Sequence, residues 1–299
     1  MTVEHLAAMP EHVRALRAPW PTLVGKIPDL TWELEQELRF GQRVTKTEQG
    51  YVLGGTIKGG SSSMWIPATR AQYDAFKRWQ AKEGLRDGRD DAALERLTAL
   101  LALHGITLAT RRQAPSPGRR HGDDEAPYAG YGPVYAEVDA ILRALPPAHL
   151  ARPALRKLTL GGWGPDAAKA SAYVDDGVHM YDFAVRGARR TFVGLFLHEL
   201  GHAHERSLTD GQRAALEDAW RRLAEADAFV GVEYMLDAST RRLYQRFVFA
   251  EFVAETYMVY AACGAALRDT IEGAPAPVRD AWRAAYEALR EGFEGVEYA

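Results

Sequence analysis

Between Thr191 and Glu205 the chain reads TFVGLFLHELGHAHE, and His198-Glu199-Leu200-Gly201-His202 within it constrains the fold more than any other stretch. Residues four apart share one face of an α-helix, so a helix here carries both imidazoles side by side, with Glu199 one position round from the first. Phe192, Val193, Leu195 and Phe196 ahead of them suit a core helix whose polar cluster faces a cleft. An amphipathic helix with two solvated histidines is the plainer reading. Against it, two unpaired imidazoles in so apolar a helix are costly to bury, whereas one metal ion satisfies both. The spacing predicts zinc held by His198 and His202, with Glu199 beside it to deprotonate a bound water.

Two histidines leave a catalytic zinc site incomplete, because a third protein ligand and an open position are required. An extension with Gly at 205 and His at 208 is absent, since those positions hold Glu205 and Leu208. His204 points to another side of the helix. The better candidate lies in Arg246 to Ala262, RFVFAEFVAETYMVYAA, where Glu251 and Glu255 stand at i and i+4 among Phe247, Ala254 and Met258. Carboxylates inside an apolar helix need partners. Zinc would be the partner of Glu251, and the second ring N–H of a zinc-bound histidine the partner of Glu255. A helix salt-bridged to Arg241, Arg242 or Arg246 is the competing reading.

At 299 residues, 47% of them hydrophobic, the chain can bury one large core or two ordinary ones. A net charge of −3 gives no general attraction to nucleic acid or to an anionic membrane, so neither is an expected partner. The one cysteine, Cys263, excludes an internal disulfide and a multi-cysteine metal site. No apolar run is long enough to span a membrane, and the first residues lack the pattern of a cleaved secretion signal. The cytoplasm is therefore the expected location, with signal-less export equally compatible.

The order of elements predicts a small α+β domain over 1–112, a Pro-, Gly- and charge-rich linker over 113–127, and a catalytic domain over 128–299. In the first, helices are expected over Pro28–Phe40, from an N-cap at Thr69, and from Asp90 or Asp91 to a closing Gly105. A hairpin is expected around Glu48-Gln49-Gly50, followed by a pliable Gly/Ser loop over 54–63. In the last, a helix over Val134–Leu145 is followed by a strand over Leu155–Leu160. Val178 to Val185 reads as a second strand lying beside the metal helix, where an extended peptide could pair with its edge. Helices from Asp210 to about Ala226 and from Val278 to Phe293 follow.

HELGH followed 49 positions after His202 by E-F-V-A-E at Glu251 to Glu255 resembles the anthrax lethal factor-like zinc metalloendopeptidases, whose neighbourhood includes the Pro-Pro endopeptidases. The resemblance covers about Leu155 to Tyr260. It implies a gluzincin-type site with Glu251 as the third zinc ligand. It also implies a tyrosine seven residues earlier, where Tyr244 stands, acting as proton donor or oxyanion stabiliser. The expectation is a zincin-like α+β domain, an active-site helix and a glutamate helix beside a small mixed sheet, hydrolysing peptide bonds of a protein substrate. The alternatives are a zinc-binding interaction protein without turnover, or a regulatory peptidase specific for one cellular partner.

Overall fold

The computed structural model describes residues 44–47, 50–56 and 63–68, positions 70, 71, 74 and 78, and then 88–111, 127–128, 130–151, 153–162, 171–185, 189–226, 228–229 and 247–298. Strands β1 (Val44–Thr47), β2 (Gly50–Thr56) and β3 (Ser63–Ala68) form an antiparallel sheet in that order, with Thr47 opposite Gly50. β1 and β2 are the arms of the expected hairpin. The expected Gly/Ser loop is shorter than its composition suggested, because Gly54 and Gly55 pair within β2 and Ser63 opens β3. The helix over 28–40, the N-cap at Thr69 and the linker over 113–126 lie outside the described residues.

The remaining described chain is mostly helical, built around a small mixed sheet. Helix α1 (Asp91–Leu103) starts where the Asp90 side chain accepts a hydrogen bond from Ala93 N at 2.9 Å, supplying one of the acceptors that a helix start lacks. Just past its end, Gly105 takes a left-handed φ of 68°, a conformation that only glycine adopts freely. Strand β4 (Thr107–Arg111), helix α2 (Gly132–Ala144), the single turn α3 (Pro147–Leu150) and strand β5 (Lys157–Gly161) follow. Pro146 and Pro147 stop α2, since neither can donate the helical hydrogen bond.

β4 pairs in parallel with β5, and α1 packs on α2 through Ala93, Leu97, Leu100 and Leu101 in the same core as Val134, Val138 and Leu142. Residues 91–111 therefore belong to the layer that the expected boundary at 112 assigned to the following domain. That boundary was drawn on linker composition, which carries no information about parallel pairing across it.

Strands β6 (Ser171–Val174) and β7 (Gly177–Met180) form a hairpin, and the sheet order is β4-β5-β7-β6, with β7 parallel to β5 and β6 antiparallel to β7. Asp175 and Asp176 at the turn have φ of 51° and 56°, the two left-handed central residues of a type I′ turn. The expected strand over Val178–Val185 is thus corrected. It ends at Met180, lies inside the sheet, and gives way to the helical turn α4 (Asp182–Val185). Loose alternation over eight residues did not separate a short strand from the helical turn that follows it. The edge beside the helix that carries His198 and His202 is β6, and no strand pairs with its outer side among the described residues.

Four further helices follow among the described residues: α5 (Arg189–Arg206), α6 (Asp210–Glu225), α7 (Phe249–Glu272) and α8 (Ala276–Gly292). Thr209 and Gln212 close a reciprocal capping box at the start of α6. α5 and α7 cross closely at Gly201, where a Cβ would stand 2.6 Å from Ala254 Cα and 2.9 Å from Ala254 O. Behind the crossing, His149 pairs through Nδ1 with the Tyr257 hydroxyl at 2.9 Å and through Nε2 with Gly292 O at 2.8 Å. A carbonyl only accepts, so Nε2 carries the proton, and α3, α7 and the end of α8 are tied at one imidazole. No described helix is long and apolar enough to cross a membrane.

Candidate metal centre

α5 places His198 and His202 one turn apart, with ring centroids 4.8 Å apart and planes at 88°. α7 crosses at Gly201 and presents Glu251 from its first turn, where the unpaired amides of a helix N-terminus favour a carboxylate. Glu251 Oε2 lies 3.4 Å from His198 Nε2, and Glu251 Oε1 lies 3.7 Å from His202 Nε2. One ligand atom from each of the three residues can be chosen so that all lie within 4.8 Å of one another. Ligands about 2.0–2.1 Å from a tetrahedral zinc ion stand about 3.3 Å from each other, close to the two separations of Glu251 from the imidazole nitrogens.

One turn along α7, Glu255 is completely buried and sits on the other edge of His198, its Oε1 3.4 Å from Nδ1. It thus faces the ring nitrogen opposite the one that Glu251 meets. Neither oxygen of Glu255 makes a hydrogen bond of good geometry, so its charge leans on this ion-pair contact. Glu199 is also buried, and its Oε1 accepts a hydrogen bond from Ser171 Oγ at 2.7 Å.

The electrostatics follow from three carboxylates around two imidazoles. Burial works against a charged His198, but Glu251, Glu255 and Glu199 together prevail and hold its pKa well above the ordinary imidazole value. His202 goes the other way, to about 4, through burial first and then the neighbouring His198 cation. The cluster thus accommodates one positive charge between the two rings.

The centre opens on a cleft of about 350 Å³ between β6, the second half of α5 and the start of α7. His202 and Glu251 are partly exposed to it, whereas His198 and Glu199 form its floor. Along β6, Ser171 and Tyr173 both face α5. The Tyr173 ring stacks beside that of His202 at 6.3 Å, and the Arg206 guanidinium lies 5.0 Å from the Tyr173 ring centre.

Of the sequence-derived residues, the structure brings together His198, Glu199, His202, Glu251 and Glu255. Tyr244 lies outside the described residues, as do Arg241, Arg242 and Arg246 of the competing salt-bridge reading. His204 turns away from the cleft, toward His149, Tyr257 and Phe293. Sequence reasoning missed Ser171 and Tyr173. One signal was available: the run Asp175-Asp176-Gly177 marks a tight turn, and that turn joins β7 to the strand carrying both.

Fold and site define a mixed α+β chain, mostly helical, with a candidate metal centre of two histidines and a glutamate. No protein-family model, curated protein or solved structure matches this chain.

Proposed function

We propose that the chain is a zinc-dependent endopeptidase of the gluzincin type, related to the anthrax lethal factor-like enzymes. The observation that carries this reading is the convergence of His198, His202 and Glu251 in a cleft whose floor also holds the buried carboxylate of Glu199. Binding metal alone does not require the Glu199 carboxylate, whereas hydrolysis requires a base. Zinc, when bound, polarises a peptide carbonyl and makes water acidic enough to lose a proton near neutral pH.

The chain's own groups supply the rest. Glu199 takes the proton from the attacking water as the C–O bond forms, and delivers it to the amide nitrogen as the C–N bond breaks. Tyr244 hydrogen-bonds the oxygen on which negative charge develops, a role carried by the resemblance. Glu255, 3.4 Å from His198 Nδ1, faces that edge of the ring and keeps it turned with Nε2 toward Glu251 and His202. A substrate backbone adds to the outer side of β6, the sheet edge that lines the cleft, which favours extended segments of a protein substrate.

Glu199→Gln tests the reading, since it keeps the shape and removes the base. Zinc should remain at one ion per chain while peptide hydrolysis falls by at least about a hundredfold. Unchanged turnover in this variant would remove Glu199 from the mechanism.

A further inference from the structure

We propose that Ser171, on the edge strand β6, is a positioning residue of this site: its hydroxyl holds the Glu199 carboxylate in the orientation from which it takes up the proton. This inference rests on the peptidase reading above.

Ser171 is 8% exposed and Glu199 5% exposed, so the 2.7 Å hydrogen bond between them is shielded from water. A hydroxyl donating to a carboxylate in such surroundings forms a short, charge-assisted bond, stronger than one between neutral partners. A Glu side chain has three rotatable bonds, and a fixed donor on one carboxyl oxygen removes much of that freedom. A base that must meet a water proton within hydrogen-bond reach gains from having its carboxyl plane set beforehand.

The strand that supplies the donor is itself immobilised against the metal helix. Ser171 and Tyr173 lie on the same face of β6, because side chains alternate along a strand. The first bonds Glu199. The second lies beside His202, and its hydroxyl donates to Ala154 O. At the hairpin turn Asp176 meets Arg206, at the end of α5, at 3.3 Å. β6 is therefore keyed to α5 at three successive places, and Ser171 is the one that touches the base.

The arrangement also links docking to chemistry. The edge that would hydrogen-bond a substrate backbone and the hydroxyl that orients Glu199 belong to the same four-residue strand. A peptide added to β6 is registered against the strand that fixes the base. A serine that merely satisfied a buried carboxylate would affect folding and zinc content, with no selective effect on turnover.

The test uses the full zinc-loaded chain with Ser171→Ala and Ser171→Thr. For Ser171→Ala, kcat should fall roughly 10–100-fold, the range for groups that orient metal-site residues, with KM and bound zinc unchanged. Ser171→Thr keeps the hydroxyl and should recover most of the loss. An infrared difference spectrum supplies a readout independent of turnover. Ser171→Ala should shift a carboxylate stretching band, and the shift should vanish when both spectra are taken in a Glu199→Gln background. Wild-type kcat in Ser171→Ala, or a band shift that persists in that background, would overturn the proposal. If the wild-type protein hydrolyses no peptide, the peptidase reading falls by itself, and the infrared comparison still decides whether Ser171 holds Glu199.

Discussion

Glu251 and Glu255 sit one helical turn apart and meet His198 at opposite ring nitrogens, Nε2 and Nδ1, each at 3.4 Å. That difference in contact separates their expected roles. Glu251→Ala removes a ligand and should lose zinc and activity together. Glu255→Ala leaves the ligand set intact and should weaken zinc affinity or activity roughly 10–100-fold. Tyr244→Phe should leave zinc content unchanged and lower kcat through the lost hydrogen bond. Zinc analysis beside steady-state kinetics on the three variants checks all of this. If Glu255→Ala loses the metal and Glu251→Ala keeps it, the ligand moves one turn along α7. Both glutamates were legible in the sequence, because a pair of carboxylates at i and i+4 inside an apolar helix demands partners. Ser171 was not, because a lone serine gains meaning only from the tertiary contact that brings it to Glu199.

Among the elements, the crossing of α5 and α7 decides whether a centre can form at all. Backbone atoms of Ala254 stand 2.6 and 2.9 Å from the Cβ that any other residue at Gly201 would carry, and backbone cannot swing aside as a flexible side chain does. Gly201→Ala should therefore push α7 outward and draw Glu251 away from both histidines. The gain in helix propensity is at most about 1 kcal/mol. Overpacking a tight contact costs about 1–3 kcal/mol, so a net loss of stability is expected together with at least a tenfold loss of zinc affinity. Thermal melts and competition with a chelator measure the two; a stabilised variant with undiminished zinc affinity would contradict the crossing. The long helices were readable from periodicity and caps, as at Asp90 and Gly105. The strand β6 was not, since four residues with one half-exposed end show no usable alternation. The turn α4 was read as strand because the loose alternation over Val178 to Val185 runs on through Asp182.

Over the whole molecule, β4 pairs with β5 and α1 packs on α2 across the expected division at residue 112, contacts that linker composition cannot foretell. On the proposed reading, zinc at this centre would also stabilise the fold. At free zinc a thousandfold above Kd, binding stabilises the folded state by about 4 kcal/mol, enough to raise Tm by several degrees. Without zinc, the raised pKa of His198 lends stability that is fully present below the ordinary value of 6.5 and is lost as pH rises through the raised value. Zinc replaces that proton and binds more tightly as protons leave. The difference in Tm between zinc-loaded and chelated protein should therefore widen as pH climbs above 6.5; a gap that narrows over that range would contradict the charge arrangement. The central claim is tested most directly by digesting a peptide library with the purified zinc-loaded chain and identifying the products. The account predicts internal cleavage at a restricted set of sequences, abolished by a chelator, restored by added zinc, and absent from Glu199→Gln at equal zinc content. Intact peptides throughout, or cleavage indifferent to the chelator and to Glu199→Gln, would contradict it.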